Sequence, residues 1–174
     1  EKRGFAYDDF EWMNTNRWTV SSSGGTWNVN SGNLIQTDSV NDNSNIYASL
    51  NGNLSDVYIY DFTAKIEGTA SNKRFGFHFA CDSASLTNRG NSYFIYFRPA
   101  SQQLEFYKVI NNTYTQTKVV TGVLTSLGMY YRFRIVHNRI SGLIEVYRDD
   151  VLLSSWTDTS PLTTSSKYYS FRTG

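Results

Sequence analysis

The sequence predicts an all-β protein, a two-sheet antiparallel β-sandwich forming a single domain over residues 1–174. Three observations lead there. In RFGFHFACD, residues 74 to 82, phenylalanine returns at every second position (Phe75, Phe77, Phe79), the period of a strand with one face in a core. Similar short runs recur along the chain, separated by clusters of Gly, Asn, Asp and Ser. Long helical periodicity is absent, and the two prolines, Pro99 and Pro161, fall at turn positions.

The elements follow in order. GTWNVNSGNLIQTD reads as a hairpin: Trp27 and Val29 lead in, Asn30-Ser31-Gly32-Asn33 turns, and Leu34 to Gln36 lead out. DVYIYDFTAKIEG sets Tyr58, Tyr60, Phe62, Ala64 and Ile66 against Val57, Ile59, Asp61, Thr63, Lys65 and Glu67, and its second half has one wet face. NSYFIYFRPA follows RFGFHFACD after the polar loop SASLTNRGN. QLEFYKVINNTYTQTKVV is a further hairpin around Asn111-Asn112. Two long strands, near 130–137 and 143–148, flank a turn at Asn138 to Gly142, and a third short strand follows Asp149-Asp150. KYYSFRTG closes the chain. The total is roughly ten to thirteen strands joined mostly by short turns, the spacing of a sandwich and not of βαβ units. No internal repeat or linker is visible.

Composition narrows the function classes. Aromatic residues make up 16% of the chain and charged residues only 18%, so the polar surface is built from Asn, Ser and Thr. A net charge of +1 gives no reason to expect nucleic acid or an anionic membrane as partner. No apolar run reaches the length of a membrane span, so no membrane insertion is expected. No secretory leader is recognisable, and Glu1 is expected to follow a processed or engineered start. Cys81 is the one cysteine; it falls in the Phe75–Phe77–Phe79 row and is expected to be a buried, inert thiol. Trp12, Trp18, Trp27 and Trp156 sit beside apolar strand residues and are expected in the core.

One strand departs from the one-sided pattern. In NSYFIYFR, Tyr93, Ile95 and Phe97 form one face and Phe94, Tyr96 and Arg98 the other, and both are rich in aromatics. The wet row of the preceding strand holds Arg74, His78 and Asp82, with Gly76 and Ala80 between them. A hairpin through 83–91 would put these two rows on one face, extended by Glu105 and Tyr107 on the next strand. The surface then carries two guanidiniums, an imidazole, carboxylates and aromatic rings. Sugars are held by such groups: ring faces stack on C–H faces, and planar charged groups bond vicinal hydroxyls. The small residues Gly76 and Ala80 are expected to leave room for a ligand. An internal Arg–Asp or Arg–Tyr network on a solvated sheet is the competing reading. Tyr47, after an Asn-rich loop, is a candidate rim platform.

The order of segments resembles the concanavalin A-like jelly rolls, in particular the laminin-G-like carbohydrate-binding modules of bacterial extracellular proteins. The resemblance runs over nearly the whole chain through YDDFEWMNTNRWTV, GTWNVNSGNLIQ, FTAKIEG, RFGFHF, NSYFIYFR, YYRFRIVHNRISGLIEVYRDDVLLSSWTD and YYSFRTG. It implies two antiparallel sheets of about six or seven strands, with sugar bound on the concave face or its rim. It also implies one more strand beyond Arg172-Thr173-Gly174, pairing with the N-terminal one. The expectation is a different ending or a boundary cut close, the latter leaving segment 5–10 at an unpaired edge.

The resemblance admits glycoside hydrolases and polysaccharide lyases, so a catalytic centre was sought. Hydrolysis needs two carboxylates facing one bond. The five glutamates are Glu1, Glu11, Glu67, Glu105 and Glu145, no two of them on one strand. Arg74, His78, Tyr96 and Arg98 resemble a lyase set, but no Gln-x-His strand accompanies them. His-Glu-x-x-His, Gly-x-Ser-x-Gly and phosphate-binding glycine loops are missing. With two histidines and one cysteine, structural zinc is not expected. Calcium is a candidate cofactor through Asp8, Asp9 and Glu11, or through Asp38, Asn41, Asp42, Asn43 and Asn45. Asn53-Leu54-Ser55 and Asn111-Asn112-Thr113 match glycosylation acceptors.

The sequence thus points to a non-catalytic module, secreted or at the cell surface, that binds an oligo- or polysaccharide and is attached to other domains. The alternatives are a polysaccharide-cleaving enzyme of the same fold and a protein-binding adhesin domain.

Overall fold

The computed structural model describes residues 6–21, 25–38, 43–50, 55–67, 73–124, 128–163 and 166–174. Asn41, Asp42 and Asn53, named above, lie outside the described residues, as do Glu1 and Phe5. The strands are β1 (Trp18–Val20), β2 (Trp27–Asn30), β3 (Asn33–Gln36), β4 (Ser44–Ser49), β5 (Val57–Ala64), β6 (Phe75–Cys81), β7 (Ser92–Arg98), β8 (Gln103–Ile110), β9 (Thr113–Thr121), β10 (Tyr131–Asn138), β11 (Leu143–Arg148), β12 (Val151–Thr157) and β13 (Tyr168–Thr173). A short 3-10 turn, Pro99–Ser101, joins β7 to β8.

Seven strands form one antiparallel sheet in the order β1-β4-β13-β6-β7-β8-β9. Four form the opposing sheet, β12-β11-β10-β5, and β2-β3 stand as a separate hairpin whose Trp27 and Leu34 pack on the core. Among the described residues the second layer is therefore smaller than the six or seven strands the resemblance implied. The turns use the residues that tolerate left-handed backbone. Asn111-Asn112 and Asp149-Asp150 each take positive φ at both positions, the two-residue hairpin geometry that matches strand twist.

The alternation read from the sequence decides the core. Phe77, Phe79, Tyr93, Ile95, Phe97, Leu104 and Phe106 of the large sheet face Tyr60, Phe62, Phe133 and Ile135 of the small one. Phe62 bridges the layers, 5.3 Å from Phe77 and 5.2 Å from Phe171 between ring centroids. At one end Tyr93 donates to Asp158 Oδ2 at 2.8 Å and accepts from Leu162 N, while Lys108 Nζ lies 2.7 Å from the same carboxylate oxygen.

Three expectations need correction or completion. Trp18 is buried and Trp27 and Trp156 pack on the core, but Trp12 is 63% exposed. Its segment has no sheet partner; Phe10 and Met13 turn inward and leave Trp12 outside. Cys81 is free and buried, and burial pushes its thiol well up, which disfavours the reactive thiolate. Ala80 does not sit on the wet row: it takes φ 51° and joins the core cluster, and the β6–β13 ladder shifts register there.

Candidate functional site

Strand register assembles two rows across the outer face of the seven-stranded sheet. One runs Asn45, Arg172, Gly76, Tyr96, Glu105; the other runs Tyr47, Ser170, His78, Phe94, Tyr107, Gln116. The period of two that sends Phe77 and Phe171 inward sends His78 and Arg172 outward. Most of the residues singled out in the sequence meet here. Arg74, just before β6, and Arg98, at the end of β7, hold their guanidiniums 5.5 and 5.8 Å from the Tyr96 ring centre. Arg98 Nη1 lies 3.2 Å from Glu105 Oε1, Tyr107 donates to Glu105 Oε2 at 2.6 Å, and Gln116 Nε2 donates to Tyr107 at 2.9 Å. Burial and the adjacent Glu105 push the Tyr107 phenol up to about 12.

The space expected over Gly76 is filled. A Cβ built there would meet Phe94 Cε2 and Cζ at 2.2 Å, so the Phe94 ring lies on the glycine and no ligand can. His78 is fully buried, stacked at 4.2 Å on Phe94 and covered by Tyr114. It belongs to the floor of the face. Burial, then the charges of Arg172 and Arg89, hold its imidazole well below the ordinary histidine range, so the ring is neutral.

The hydrogen bonds around that ring form one directed chain. A neutral ring protonated at Nδ1 donates to Ser92 Oγ (3.2 Å), and Ser92 donates to Asn88 O (3.1 Å). Tyr114 then donates to His78 Nε2 at 2.7 Å, and Arg172 Nη1 donates to Tyr114 and, at 2.9 Å, to Asn88 Oδ1. Arg172 Nη2 donates to Asn43 Oδ1. Asn112, from the β8–β9 turn, clamps Asn88 through its side chain (2.7 Å) and its carbonyl (2.8 Å).

Asp82 sits apart from this face. Its carboxylate accepts from Asn91 N at 2.8 Å and Asn91 Nδ2 at 2.7 Å, closing the loop between β6 and β7. The Ala80 bulge, which alternation cannot reveal, takes it out of the Arg74–His78 row. Tyr47, on β4, lies at one end of the second row, with the Arg89 guanidinium 5.0 Å from its ring centre. Sequence reasoning missed Arg172, Arg89, Tyr114 and Gln116. Arg172 and Tyr114 were legible in principle, since each alternates with core-facing or strand-edge neighbours. Arg89 lies in a loop, where no periodicity marks it.

The acidic group proposed for calcium has other work. Asp8 Oδ1 accepts from Phe10 N at 2.9 Å and Oδ2 from Trp18 Nε1 at 2.8 Å, while Asp9 caps Glu11 N. Among the described residues no three carboxylate, imidazole or thiol groups gather to hold a metal. Both carboxylate oxygens of Asp8 thus already accept from protein donors.

The fold is an antiparallel two-sheet sandwich of the jelly-roll kind. No protein-family model matches the chain, and no curated protein matches it in sequence. Solved structures do. The carbohydrate binding module CBM66 from Bacillus subtilis superposes with a TM-score of 0.67 at 15% identity, over 90% of this chain and 89% of that one. The potassium-bound Emp46p carbohydrate recognition domain gives 0.65 at 11% identity, over 91% and 82%. A sialidase gives 0.67 at 15% identity over 97% of this chain, but only 15% of the sialidase. At these identities the likeness establishes the fold. Among the described residues no helix is long and apolar enough to cross a membrane.

Proposed function

We propose that this chain binds carbohydrate on the outer face of its seven-stranded sheet, without cleaving it, as one module of a larger secreted or cell-surface protein. The observation that carries the reading is Tyr96. Its half-buried ring lies among the guanidiniums of Arg74 and Arg98, beside Glu105 and above a floor of Phe94 and His78. Tyr47, Tyr107, Tyr114 and Gln116 extend the surface on either side. Rings for stacking and fixed donors and acceptors for hydroxyls then line one face several strands wide. The solved neighbours that are carbohydrate binding or recognition domains support the reading.

Binding is favoured over cleavage because Glu105, the carboxylate of this patch, is held between Arg98 and Tyr107. Hydrolysis calls for a second carboxylate across the scissile bond. A glycan array, followed by titration of the hits, tests the proposal: Tyr96→Ala should abolish retention while the melt stays cooperative. Retention of a protein partner with no glycan bound would give the site to an adhesin. Sustained release of reducing ends or unsaturated products would give it to an enzyme.

A further inference from the structure

We infer that this face takes the interior of a linear polysaccharide, laid across the strands and held along several residues, and not a chain end or a lone sugar. The inference rests on the carbohydrate reading above and narrows it to a mode of recognition and a ligand length.

Recognition of a chain end needs a hollow that closes around the terminal ring. The two small residues that could open one do not. The Phe94 ring lies on Gly76, Ala80 belongs to the core cluster, and Tyr114 covers His78. The rings instead form two platforms. Tyr96, Phe94, Tyr107 and Tyr114 stand together over β7 to β9, with neighbouring ring centres 4.8 to 5.9 Å apart. Tyr47 on β4 and Tyr168 on β13 form the second, 6.0 Å apart. Tyr168 shares the outward side of β13 with Ser170 and Arg172, because Tyr169 and Phe171 between them pack on the core. From β4 to β8 the sheet crosses four strand spacings, about 19 Å, so no single sugar ring reaches both platforms. At one sugar residue per spacing, a ligand that touches both is about four residues long.

Both platforms are braced from below. The Arg89 guanidinium lies 5.0 Å from the Tyr47 ring centre, and that of Arg172 lies 5.8 and 5.4 Å from those of Phe94 and Tyr114. Buried beneath the face, these cations order the rings and are not themselves ligand contacts. Two of the hydroxyls are committed as well. Tyr107 donates to Glu105 and accepts from Gln116; Tyr114 donates to His78 and accepts from Arg172. Tyr47, Tyr107, Tyr114 and Tyr168 are each half-buried, so part of every ring stays at the surface. What they offer is ordered ring surface, which suits the C–H faces of successive sugar rings and spares the cost of fixing side chains on binding.

The test is calorimetric titration of the intact chain with size ladders of one to six residues, made from cello-, xylo-, manno-, laminari- and fructo-oligosaccharides. A ladder of any other linear polysaccharide that the glycan array retains is added. The inference expects affinity in at least one ladder to climb to about four residues, the tetramer binding at least about tenfold more tightly than the disaccharide. Tyr168→Ala should lower hexamer affinity about fivefold or more and leave the disaccharide unchanged, because the disaccharide keeps the platform over β7 to β9. If Tyr168→Ala fails to fold, the length dependence of the unaltered protein still decides. A ladder that levels off at one or two residues overturns the inference and leaves the carbohydrate reading standing. An unchanged hexamer affinity in the folded variant overturns it too. So does a silent set of ladders beside an array that retains only short or branched glycans. If the array is empty as well, the carbohydrate reading falls with it.

Discussion

The Phe94 ring lies directly on Gly76: a Cβ at residue 76 would sit 2.2 Å from two of its ring carbons and 3.0 Å from Ile95 O. The glycine is a seat for a protein side chain, and this fixes the height of the floor beneath Tyr96. Gly76→Ala should force the ring outward or the strands apart, costing ~1–3 kcal/mol as overpacking. A thermal melt should fall by several degrees, and Gly76→Ala with Phe94→Leu should recover part of the loss. An unchanged melt for the single variant would mean that Phe94 has another place to go.

Arg98 and Glu105 test whether the face is held by its own ion pair. Glu105 is buried, and Arg98 is partly open, with 28% of its side chain exposed. Arg98→Ala leaves the carboxylate with Tyr107 as its described partner. After discounting for solvent, a loss of about 1–2 kcal/mol in urea unfolding is expected. Glu105→Gln in the same background should restore much of it, and additive losses would show that the two groups are not coupled.

Phe77 should behave in the opposite sense from the outer-face residues. It is buried between Tyr60, Phe62 and Phe171. Phe77→Ala should cost ~3–5 kcal/mol through the cavity it leaves. Glycan affinity of the fraction still folded should match the parent, whereas Tyr96→Ala should lose affinity with little change in the melt.

His137 makes stability depend on pH. It is buried among Tyr58, Phe79 and Tyr93, and neither ring nitrogen has a hydrogen-bond partner among the described residues. Burial, assisted by the Arg139 charge, lowers it from the ordinary 6.5 to about 4. Between these values the unfolded chain takes up a proton that the folded chain refuses, so stability falls as pH drops from 6.5 toward 4. The full loss is about 3 kcal/mol, and buried His78 acts in the same direction. Asp61, held down by Arg132, and Asp158, where Lys108 and its other partners outweigh burial, lose their contribution only at lower pH. Melts between pH 7 and 4.5 should therefore steepen through the histidines, and His137→Leu should flatten that slope. A parallel slope in the variant would exclude His137 as its source.

Chelation is a further test of the N-terminal acids. Since Asp8 is engaged by Phe10 N and Trp18 Nε1, exhaustive chelation should leave the melt unchanged. A fall of several degrees that calcium reverses would show a site built differently from the one described.

The sequence by itself determined the strands, most of their turns and which side chains of each point between the two sheets. Side chains alternate along a strand whatever it pairs with, so Phe75, Phe77 and Phe79 and the double-faced NSYFIYFR could be read in isolation. Asn111-Asn112 and Asp149-Asp150 marked their turns because few residues accept positive φ. Tertiary structure alone decided what fills the outer face. Whether Gly76 opens a pocket depends on where the Phe94 ring of the neighbouring strand falls, and register is not written in either strand. The Ala80 bulge moved Asp82 off its row for the same reason, since the register shift arises where β6 meets β13. Arg172, from the end of the chain, meets Asn88 and Tyr114 because β13 is hydrogen-bonded between β4 and β6. That pairing joins residues 58 and 84 positions apart, and only the closed sheet brings their charge and rings together.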